Sequence, residues 1–521
     1  MPDSCFRLDP ATGRALKEYV LPSAGEAEKA KWGFIAVLDD LLIATASPVT
    51  VPMDDKPPDD GEAAVASLKD VPGVTVNADY AAASKSLVVM NRHSGDILWT
   101  RTADYSFRHN TIIGAADRIY CIDKMTDKKT AYLRRRGYVV EQEPTLYALD
   151  ARTGNVLWKT SENVFGTWLG YSEEHDILLQ AGSAARDRAS DEVGQGLVAY
   201  KGSDGTVLWE SDRRYRGPCL IHHETVITQD DALDLLTGAR HDRVHPLTGE
   251  TIPWNFSRQY GCNTIIGGEH LLTFRSAAAG FYDLVGDYGT ANLGGFKSGC
   301  TSNLIAADGV LNAPDYTRTC TCSYQNQSSL ALIHDPEVEV WTFSSINWRG
   351  KRVQRVGVNF GAPGDRLAET GVLWLDYPSV GGRSPDIPVT VEGEELSFFR
   401  HHTSLMDKAG LPWVAASGAE GCAVVKIGLS NADEETRPYT VRLHFAEPNA
   451  KAAEGERVFD VSLQGRPVLR DFDVVEAARA SRRDVVREFR DIRIAKELTI
   501  RFNTKTGKSL LNGVEVIAAG D

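Results

Sequence analysis

A short segment that ends in tryptophan occurs three times in the first half of the chain. Each copy is a run of apolar residues, a polar turn that contains glycine, and a second run that ends at the tryptophan, which is the pattern of a β-hairpin. The copies span 87–99, 146–158 and 197–209, so the period is about 50 to 60 residues. A fixed period of this length indicates an array of similar units, each of which packs on the next.

Further runs of the strand type lie between the hairpins, at 118–123, 177–181 and 270–274. Two hairpins in each period give a four-stranded antiparallel sheet, which is one blade of a β-propeller. Residues 1–345 show no extended helical periodicity. We therefore expect an all-β chain whose residues 1–346 form a β-propeller of about seven four-stranded blades.

The chain begins inside a weak copy of the repeat, at 6–13, without the strands that should lead into it. We therefore expect an upstream segment that completes the ring, and this segment would also be the place for an export signal. The N-terminal residues of the given chain lack the charged and apolar regions of a secretory signal.

The repeat stops near 347–352, and a different pattern follows. Apolar and polar residues alternate along 439–445, 457–463 and 497–502, and glycine and proline turns separate the runs. Alternation of this kind over about 165 residues predicts a β-sandwich at residues 351–521.

Composition limits the partners of the chain. It has 57 Lys and Arg against 71 Asp and Glu, a formal net charge of -14, which repels polyphosphates and argues against nucleic acid as a partner. No apolar run reaches the roughly 20 residues of a membrane-spanning helix. Eight cysteines are too few for a disulfide framework, so their number leaves the compartment open.

The Asp-x-x-Thr-Gly-x-x-x-Trp pattern, clearest at 150–158, resembles the repeat of pyrroloquinoline-quinone-like β-propellers. That family includes quinoprotein dehydrogenases and also outer-membrane assembly lipoproteins without a cofactor, so the resemblance implies the fold and leaves the function open. We expect Trp99, Trp158 and Trp209 to dock neighbouring blades, with stacking on a cofactor as the alternative.

The most unusual segment contains Cys300, Cys320 and Cys322 among Asn, Asp and Thr residues. There are three alternatives for these cysteines. Cys300 forms a disulfide with Cys320 or Cys322, all three are unpaired thiols, or they bind a metal with Cys262 as a fourth ligand. Quinoprotein dehydrogenases pair two adjacent cysteines over the quinone, and this chain has only Cys-x-Cys. The sequence therefore predicts no cofactor, with pyrroloquinoline quinone or a metal as the alternative. Asp315 is a candidate general base, but an aspartate after proline is more typical of a turn.

Segments 439–447, 455–461 and 511–516 resemble the malectin-type domain, a sandwich associated with the binding of glucan disaccharides. The resemblance implies sugar contacts from loop aromatics and from an acidic residue near the last strand. Lys508, Ser509 and Leu510 precede Leu511 here, so that acid is missing.

Sugar recognition needs flat aromatic faces for the C–H groups of the sugar ring and planar polar groups for its hydroxyls. The candidates in the sandwich are Trp374, Asp376, Tyr377, Phe398, Phe399, His401, His402 and Trp413. Packing inside the sandwich is the alternative for each of them, and alternation should bury one of the two adjacent phenylalanines. Phe445, Phe459 and Phe502 are expected in the core.

Two all-β modules without a pair of catalytic carboxylates predict a binding protein rather than an enzyme. We expect a glycan-binding or scaffold protein of the cell envelope or exterior, periplasmic or extracellular, with carbohydrate and further envelope proteins as partners. The alternative is an enzyme: a quinoprotein-type oxidoreductase of sugars or alcohols, or a metal-dependent activity at the Cys300, Cys320 and Cys322 region.

Overall fold

The computed structural model describes most of the chain, and the strands dominate it. The described residues are 4–22, 30–48, 83–125, 130, 131, 134, 135, 137, 139–183, 192–229, 231–259, 261, 264–287, 289–294, 296, 304–314, 329–344, 346–380, 382, 384–432 and 435–520. They form two compact units, Met1–Arg240 and His241–Asp521. The prediction of an all-β chain is confirmed. Among the described residues, no helix has the length and apolar character needed to cross a membrane.

The first unit consists of short antiparallel strands. They are β1 (Cys5–Leu8), β2 (Ala15–Tyr19), β3 (Trp32–Leu38), β4 (Leu41–Pro48), β5 (Ala83–Asn91), β6 (Ile97–Ala115), β7 (Arg118–Asp123), β8 (Thr145–Asp150), β9 (Val156–Thr160), β10 (Trp168–Ser172), β11 (Ile177–Ala181), β12 (Gln195–Lys201), β13 (Val207–Arg214), β14 (Leu220–His222), β15 (Thr225–Ile227) and β16 (Ala232–Asp234).

Four consecutive antiparallel strands, the pattern of a propeller blade, occur as β3-β4-β5-β6, β6-β7-β8-β9 and β10-β11-β12-β13. Strand β6 takes part in two of these blades, because its first part pairs with β5 and its second part with β7. Strands β14, β15 and β16 form a further sheet. The four-stranded blades agree with the repeat, and the number seven stays a prediction.

The repeat tryptophans join consecutive repeats by one recurring contact. Each indole N–H donates to a backbone carbonyl in the turn of the next repeat: Trp99 to Ala151 (3.0 Å), Trp158 to Gly202 (2.8 Å) and Trp209 to Leu235 (2.8 Å). A glycine of that turn lies against each ring, where a Cβ would come within 2.7, 2.6 and 2.7 Å of it: Gly154, Gly205 and Gly238. These glycines also have positive φ, so two independent constraints select glycine there. The structure therefore places the three tryptophans at the contacts between neighbouring blades.

The second unit begins with smaller sheets. Their strands are β17 (Asp242–Val244), β18 (Thr251–Pro253), β19 (Ile266–Gly267), β20 (Leu271–Ser276), β21 (Ala278–Asp283), β22 (Thr290–Asn292), β23 (Ile305–Ala307), β24 (Val310–Ala313), β25 (Leu330–Ile333) and β26 (Thr342–Phe343). They pair as β17-β18, as β19-β20-β21-β22-β26 and as β23-β24-β25.

The rest of the second unit is a sandwich. Its strands are β27 (Arg355–Phe360), β28 (Arg366–Leu367), β29 (Leu373–Tyr377), β30 (Val389–Glu392), β31 (Ser397–Arg400), β32 (Ser417–Glu420), β33 (Val424–Gly428), β34 (Arg437–Phe445), β35 (Val458–Leu463), β36 (Arg466–Asp473), β37 (Val485–Ile494), β38 (Glu497–Thr506), β39 (Leu510–Leu511) and β40 (Gly513–Ala518). A 3-10 turn (Thr403–Leu405) and two short helices, α1 (Pro412–Ala415) and α2 (Val474–Ala478), lie between strands.

Two sheets of the sandwich share one apolar core. Their orders are β28-β29-β27-β40-β34-β37 and β30-β33-β38-β35-β36. Alternate residues of both sheets point inward, so Phe445 from the first packs against Phe459 from the second with ring centroids 5.9 Å apart, and Phe502 lies 5.8 Å from Phe459. The sandwich and its three core phenylalanines are confirmed.

The β17-β18 hairpin is anchored in this sandwich. Leu247, in its turn, is fully buried in the sandwich core, and its carbonyl accepts the backbone N–H of Gln354 at 2.6 Å. The boundary expected between 346 and 351 lies inside the second unit and stays a prediction.

Candidate functional site

Tyr377 and Phe398 form an aromatic pair at one end of the sandwich. Their ring centroids are 5.9 Å apart with an interplanar angle of 66°. Phe360, the last residue of β27, contacts Tyr377 edge-on at 6.0 Å. Phe398 is 37% exposed and Tyr377 is half-buried, so neighbouring rings fix the orientation of a pair that remains open to solvent.

Two buried carboxyl groups hold the loop that follows Tyr377. Asp365 accepts the backbone N–H of Asp376 at 3.2 Å and the hydroxyl of Ser384, while Asp376 accepts the backbone N–H of Val380 at 3.0 Å. Burial, together with a smaller effect from the nearby charge of Asp376, raises the pKa of Asp365 to about 8. Asp365 is therefore mostly protonated at neutral pH. Asp376 is the group that holds the backbone of the loop, at Val380.

Trp374 is on the other face of β29 and is 1% exposed. Its indole lies across Gly357 and Gly513, where a Cβ would come within 2.1 and 2.7 Å of it. Its ring meets that of His444 edge-on, with centroids 5.2 Å apart. The structure thus places Trp374 in the packing layer that covers the six-stranded sheet.

Trp413, in α1, belongs to the same layer. It meets Trp374 edge-on at 5.6 Å, and the Arg366 guanidinium lies 5.1 Å from its ring and 5.7 Å from that of Trp341. Trp413 is 8% exposed. An arginine held between two indoles is a stabilising cation–π arrangement that leaves Trp413 little surface for a ligand.

The remaining candidates lie in β31 and directly after it. Phe399 is half-buried against the sandwich core, with its ring 5.8 Å from that of the half-buried His401. His402 is exposed, and its Nδ1 is 2.8 Å from the Ser404 hydroxyl. The structure therefore brings Tyr377 and Phe398 together, packs Trp374 and Trp413 elsewhere, and leaves the histidines at the edge.

Asn512, just before the last strand, has a structural role. Its amide is fully buried: it accepts the backbone N–H of Ala446 at 2.7 Å and donates to the carbonyls of Ala415 (3.0 Å) and Ser417 (2.7 Å). Every one of these partners is a backbone group in a different segment. Asn512 thus joins α1, β32 and the residue that follows β34.

The two segments that best carry the malectin resemblance are joined by an ion pair. Arg457 Nε donates to Glu447 at 2.6 Å, and Arg457 Nη2 donates to Glu420 at 2.6 Å. Glu447 is 2% exposed. These motif residues therefore have a structural role, because the charged hydrogen bonds hold their segments together.

A second buried pair, which the sequence reasoning missed, lies beside Trp374. His444 Nδ1 is 3.2 Å from Asp484 Oδ2, and the two side chains are 4% and 1% exposed. They are distant in sequence, and only the pairing of β34 with β37 brings them together. Asp365 was missed for the same reason: its partners come from another strand and loop, and the only local signal is a polar residue after a glycine-rich turn.

Several predicted residues lie outside the described part of the chain: Asp315, Cys262, Cys300, Cys320 and Cys322. The described cysteines, Cys5, Cys121, Cys219 and Cys422, are unpaired. Within the described residues, no group of three or more His, Cys, Asp or Glu side chains is placed to hold a metal ion. The quinone and metal alternatives therefore stay predictions.

Two family models match the chain. The malectin domain model matches residues 432–517, and the model of the outer membrane protein assembly factor BamB matches residues 91–254. Both resemblances expected from the sequence are confirmed. No curated protein matches the chain.

Solved structures give weaker similarities. BamB from Moraxella catarrhalis is 16% identical, with a TM-score of 0.32, over 54% of this chain and 65% of that one. A β-glucuronidase from Bacteroides uniformis is 11% identical (TM-score 0.26; 50% and 28% covered), and the ANXUR2 extracellular domain from Arabidopsis thaliana is 15% identical (TM-score 0.25; 32% and 49% covered). The chain spans less than two thirds of the length of each structure. The fold therefore rests on the strand pairing and the two family models.

Proposed function

Because the chain carries a malectin domain and a region of BamB-like repeats, we propose that it is a carbohydrate-binding protein of the cell envelope or exterior. The blades act as the scaffold, and the sandwich binds the sugar. The malectin domain by itself supports a carbohydrate-binding or scaffold role. The periplasm or the extracellular space is the compartment that fits both family models, and further envelope proteins are the partners that a scaffold would take.

The observation that carries this proposal is the Tyr377 and Phe398 pair. Sugars are recognised when an aromatic face covers the C–H groups of the ring, and this face must be both exposed and rigid. Phe398 offers the exposed face, while Tyr377 adds a hydroxyl at the same place. Phe360 supports the pair from behind.

The buried carboxyl groups contribute by preorganisation. Asp376 fixes the backbone of Val380, and Asp365 fixes both Asp376 and Ser384. A loop that is already held in place loses less conformational entropy when it meets a ligand, so the affinity per contact rises. Binding by this site would thus depend on residues that never touch the sugar.

A glycan array followed by calorimetry tests the proposal. The full chain is applied to an array of neutral oligosaccharides with glucans included, and the best ligand is titrated against Phe398→Ala and Phe6→Ala. Phe6 is 50% exposed in the first unit, which makes it a matched control. We expect Phe398→Ala to weaken binding by about tenfold or more and Phe6→Ala to leave it unchanged. An array without any bound oligosaccharide, or equal losses in both variants, would contradict the proposal.

A further inference from the structure

A cavity of about 250 Å³ lies in the second unit, at the other end of β27 and β29 from the aromatic pair. Its lining combines charged and aliphatic groups: Arg243, Val244, Pro246, Asp287, Ile346, Arg355, Leu367, Gly371 and Leu373. Arg355 begins β27 and Leu373 begins β29, whereas Phe360 and Tyr377 end these strands. At about 3.3 Å per residue, the cavity and the aromatic pair are about 15 Å apart along the strands.

The walls of the cavity are held in place before any ligand arrives. The turn of the β17-β18 hairpin inserts Leu247 into the sandwich core, and its carbonyl accepts backbone N–H groups from Gln354 and Arg355. An ion pair joins Glu250, at the end of this turn, to Lys351 in the segment before β27. Binding would therefore need little rearrangement.

Arg243 and Asp287 form the fixed polar part of the lining. The Arg243 guanidinium donates to Asp287 Oδ1 (3.3 Å), to the Tyr282 hydroxyl (3.2 Å) and to Asn255 Oδ1 (3.2 Å). Asp287 Oδ1 also accepts the indole N–H of Trp254 at 2.8 Å. These two side chains neutralise each other, so neither has a full charge to offer a ligand.

Arg355 is the charged group that remains. Its side chain is exposed, and among the described residues it has neither a hydrogen-bond partner nor an ion-pair partner. Its Nη1 lies 3.5 Å from the point where a Cβ on Gly371 would be, which places the guanidinium at the cavity wall. Together with the Arg243 and Asp287 pair, it gives the lining one net positive charge. A guanidinium without a partner is suited to the two oxygens of a carboxylate.

The other described residues of the lining are aliphatic or glycine. Ile346 and Leu373 are 5% and 1% exposed, and Val244, Pro246 and Leu367 complete the walls. A cavity of about 250 Å³ has room for a body of one ring. Such walls favour a hydrocarbon body over a hydroxyl-rich one, because aliphatic groups leave hydroxyls without hydrogen bonds.

We propose that this cavity binds a small organic monocarboxylate with a compact alicyclic body. The carboxylate pairs with the Arg355 guanidinium, and the ring packs against Val244, Ile346 and Leu373. The site is independent of the proposed sugar site, because it shares no residue with the Tyr377 and Phe398 pair.

Calorimetric titration of the full chain with cyclohexanecarboxylate tests this site. Cyclohexylmethanol is the neutral comparison, and we expect it to bind at least about tenfold more weakly. Arg355→Gln should weaken carboxylate binding by about tenfold or more, and Val244→Trp, which fills the cavity from a position that is 61% exposed, should abolish it. Arg466→Gln, an exposed arginine of β36 away from the cavity, should change nothing.

Three results would overturn the proposal: no heat of binding with the wild-type chain, equal affinity for the acid and the alcohol, or equal effects of Arg355→Gln and Arg466→Gln. Binding of D-glucuronate in preference to cyclohexanecarboxylate would overturn the assignment of an apolar body. Phe398→Ala should leave carboxylate binding unchanged, so failure of the sugar site and failure of this site are separate outcomes.

Discussion

The repeat blades and the sandwich both pack a tryptophan ring against glycine, but they reach this contact in different ways. In the blades, Trp158 and Gly205 occupy fixed places in a repeated motif, and the same contact recurs in the next repeat. In the sandwich, Trp374 lies on Gly357 and Gly513, which come from two strands at opposite ends of the domain sequence. The blade contact is local and repeated, whereas the sandwich contact is unique and depends on the complete sheet.

Asp365 in the second unit and His109 in the first should make opposite contributions to the pH dependence of stability, which is the largest effect expected. Burial raises the pKa of Asp365 in the second unit from 3.8 to about 8, so its stability falls as pH rises from about 4 to about 8. Burial, with a smaller effect from the charge of Arg108, lowers the pKa of His109 in the first unit from 6.5 to about 4. Stability there falls as pH drops from about 6.5 to about 4. The Asp365 effect is up to about 6 kcal/mol.

Hydrogen exchange of each unit, measured between pH 4 and 8, checks these two slopes. Asp365→Asn should remove the slope of the second unit and leave that of the first. His109→Gln should do the reverse. The same slope in both units would break the comparison.

Trp374→Ala should destabilise the second unit by about 3 to 5 kcal/mol, because it empties a fully packed site between two glycines. Urea denaturation combined with hydrogen exchange of β27 and β40 measures the loss. The first unit should keep its protection. A loss below about 1 kcal/mol would mean that the layer over the sheet can collapse into the space.

Gly205→Ala should destabilise the first unit by about 2 to 4 kcal/mol, since alanine at φ 76° is strained and its Cβ would lie 2.6 Å from the Trp158 ring. Gly13→Ala is the matched control: its φ is 69°, and no atom lies within 4 Å of the added Cβ. It should lose only about 1 to 2 kcal/mol. Equal losses by urea denaturation would show that the ring moves aside at no cost.

The smallest expected effect is a difference in stability between two tryptophan variants of the blades. Trp209→Phe and Trp158→Phe both remove an indole N–H, but the Gly202 carbonyl under Trp158 also accepts the Tyr120 hydroxyl at 3.1 Å. The Leu235 carbonyl under Trp209 has no second donor among the described side chains. Trp209→Phe should therefore destabilise by about 1 kcal/mol more than Trp158→Phe in urea denaturation. The opposite order would show that the carbonyls are satisfied in another way.

The same difference decides which of these contacts can be predicted from the sequence. The blade tryptophans and turn glycines are predictable because the repeat displays them side by side, and Phe445 and Phe459 are predictable from alternation. Trp374 has no such signal, because the glycines that receive its ring lie far away in sequence. Phe398 could be named as a candidate, whereas Asp365 could not, since its partners meet it only after the sheet and loop have formed.

Saturation-transfer NMR on the full chain with its best array ligand tests the sugar site most directly. When the aromatic protons of the protein are irradiated, we predict the strongest transfer to the ring C–H protons of the sugar, with loss of this signal in Phe398→Ala and its retention in Leu208→Ala. Leu208 is 44% exposed on a blade strand and serves as the control from the other region. Transfer that persists in Phe398→Ala, or that disappears in Leu208→Ala, would contradict the assignment of the sugar to the sandwich.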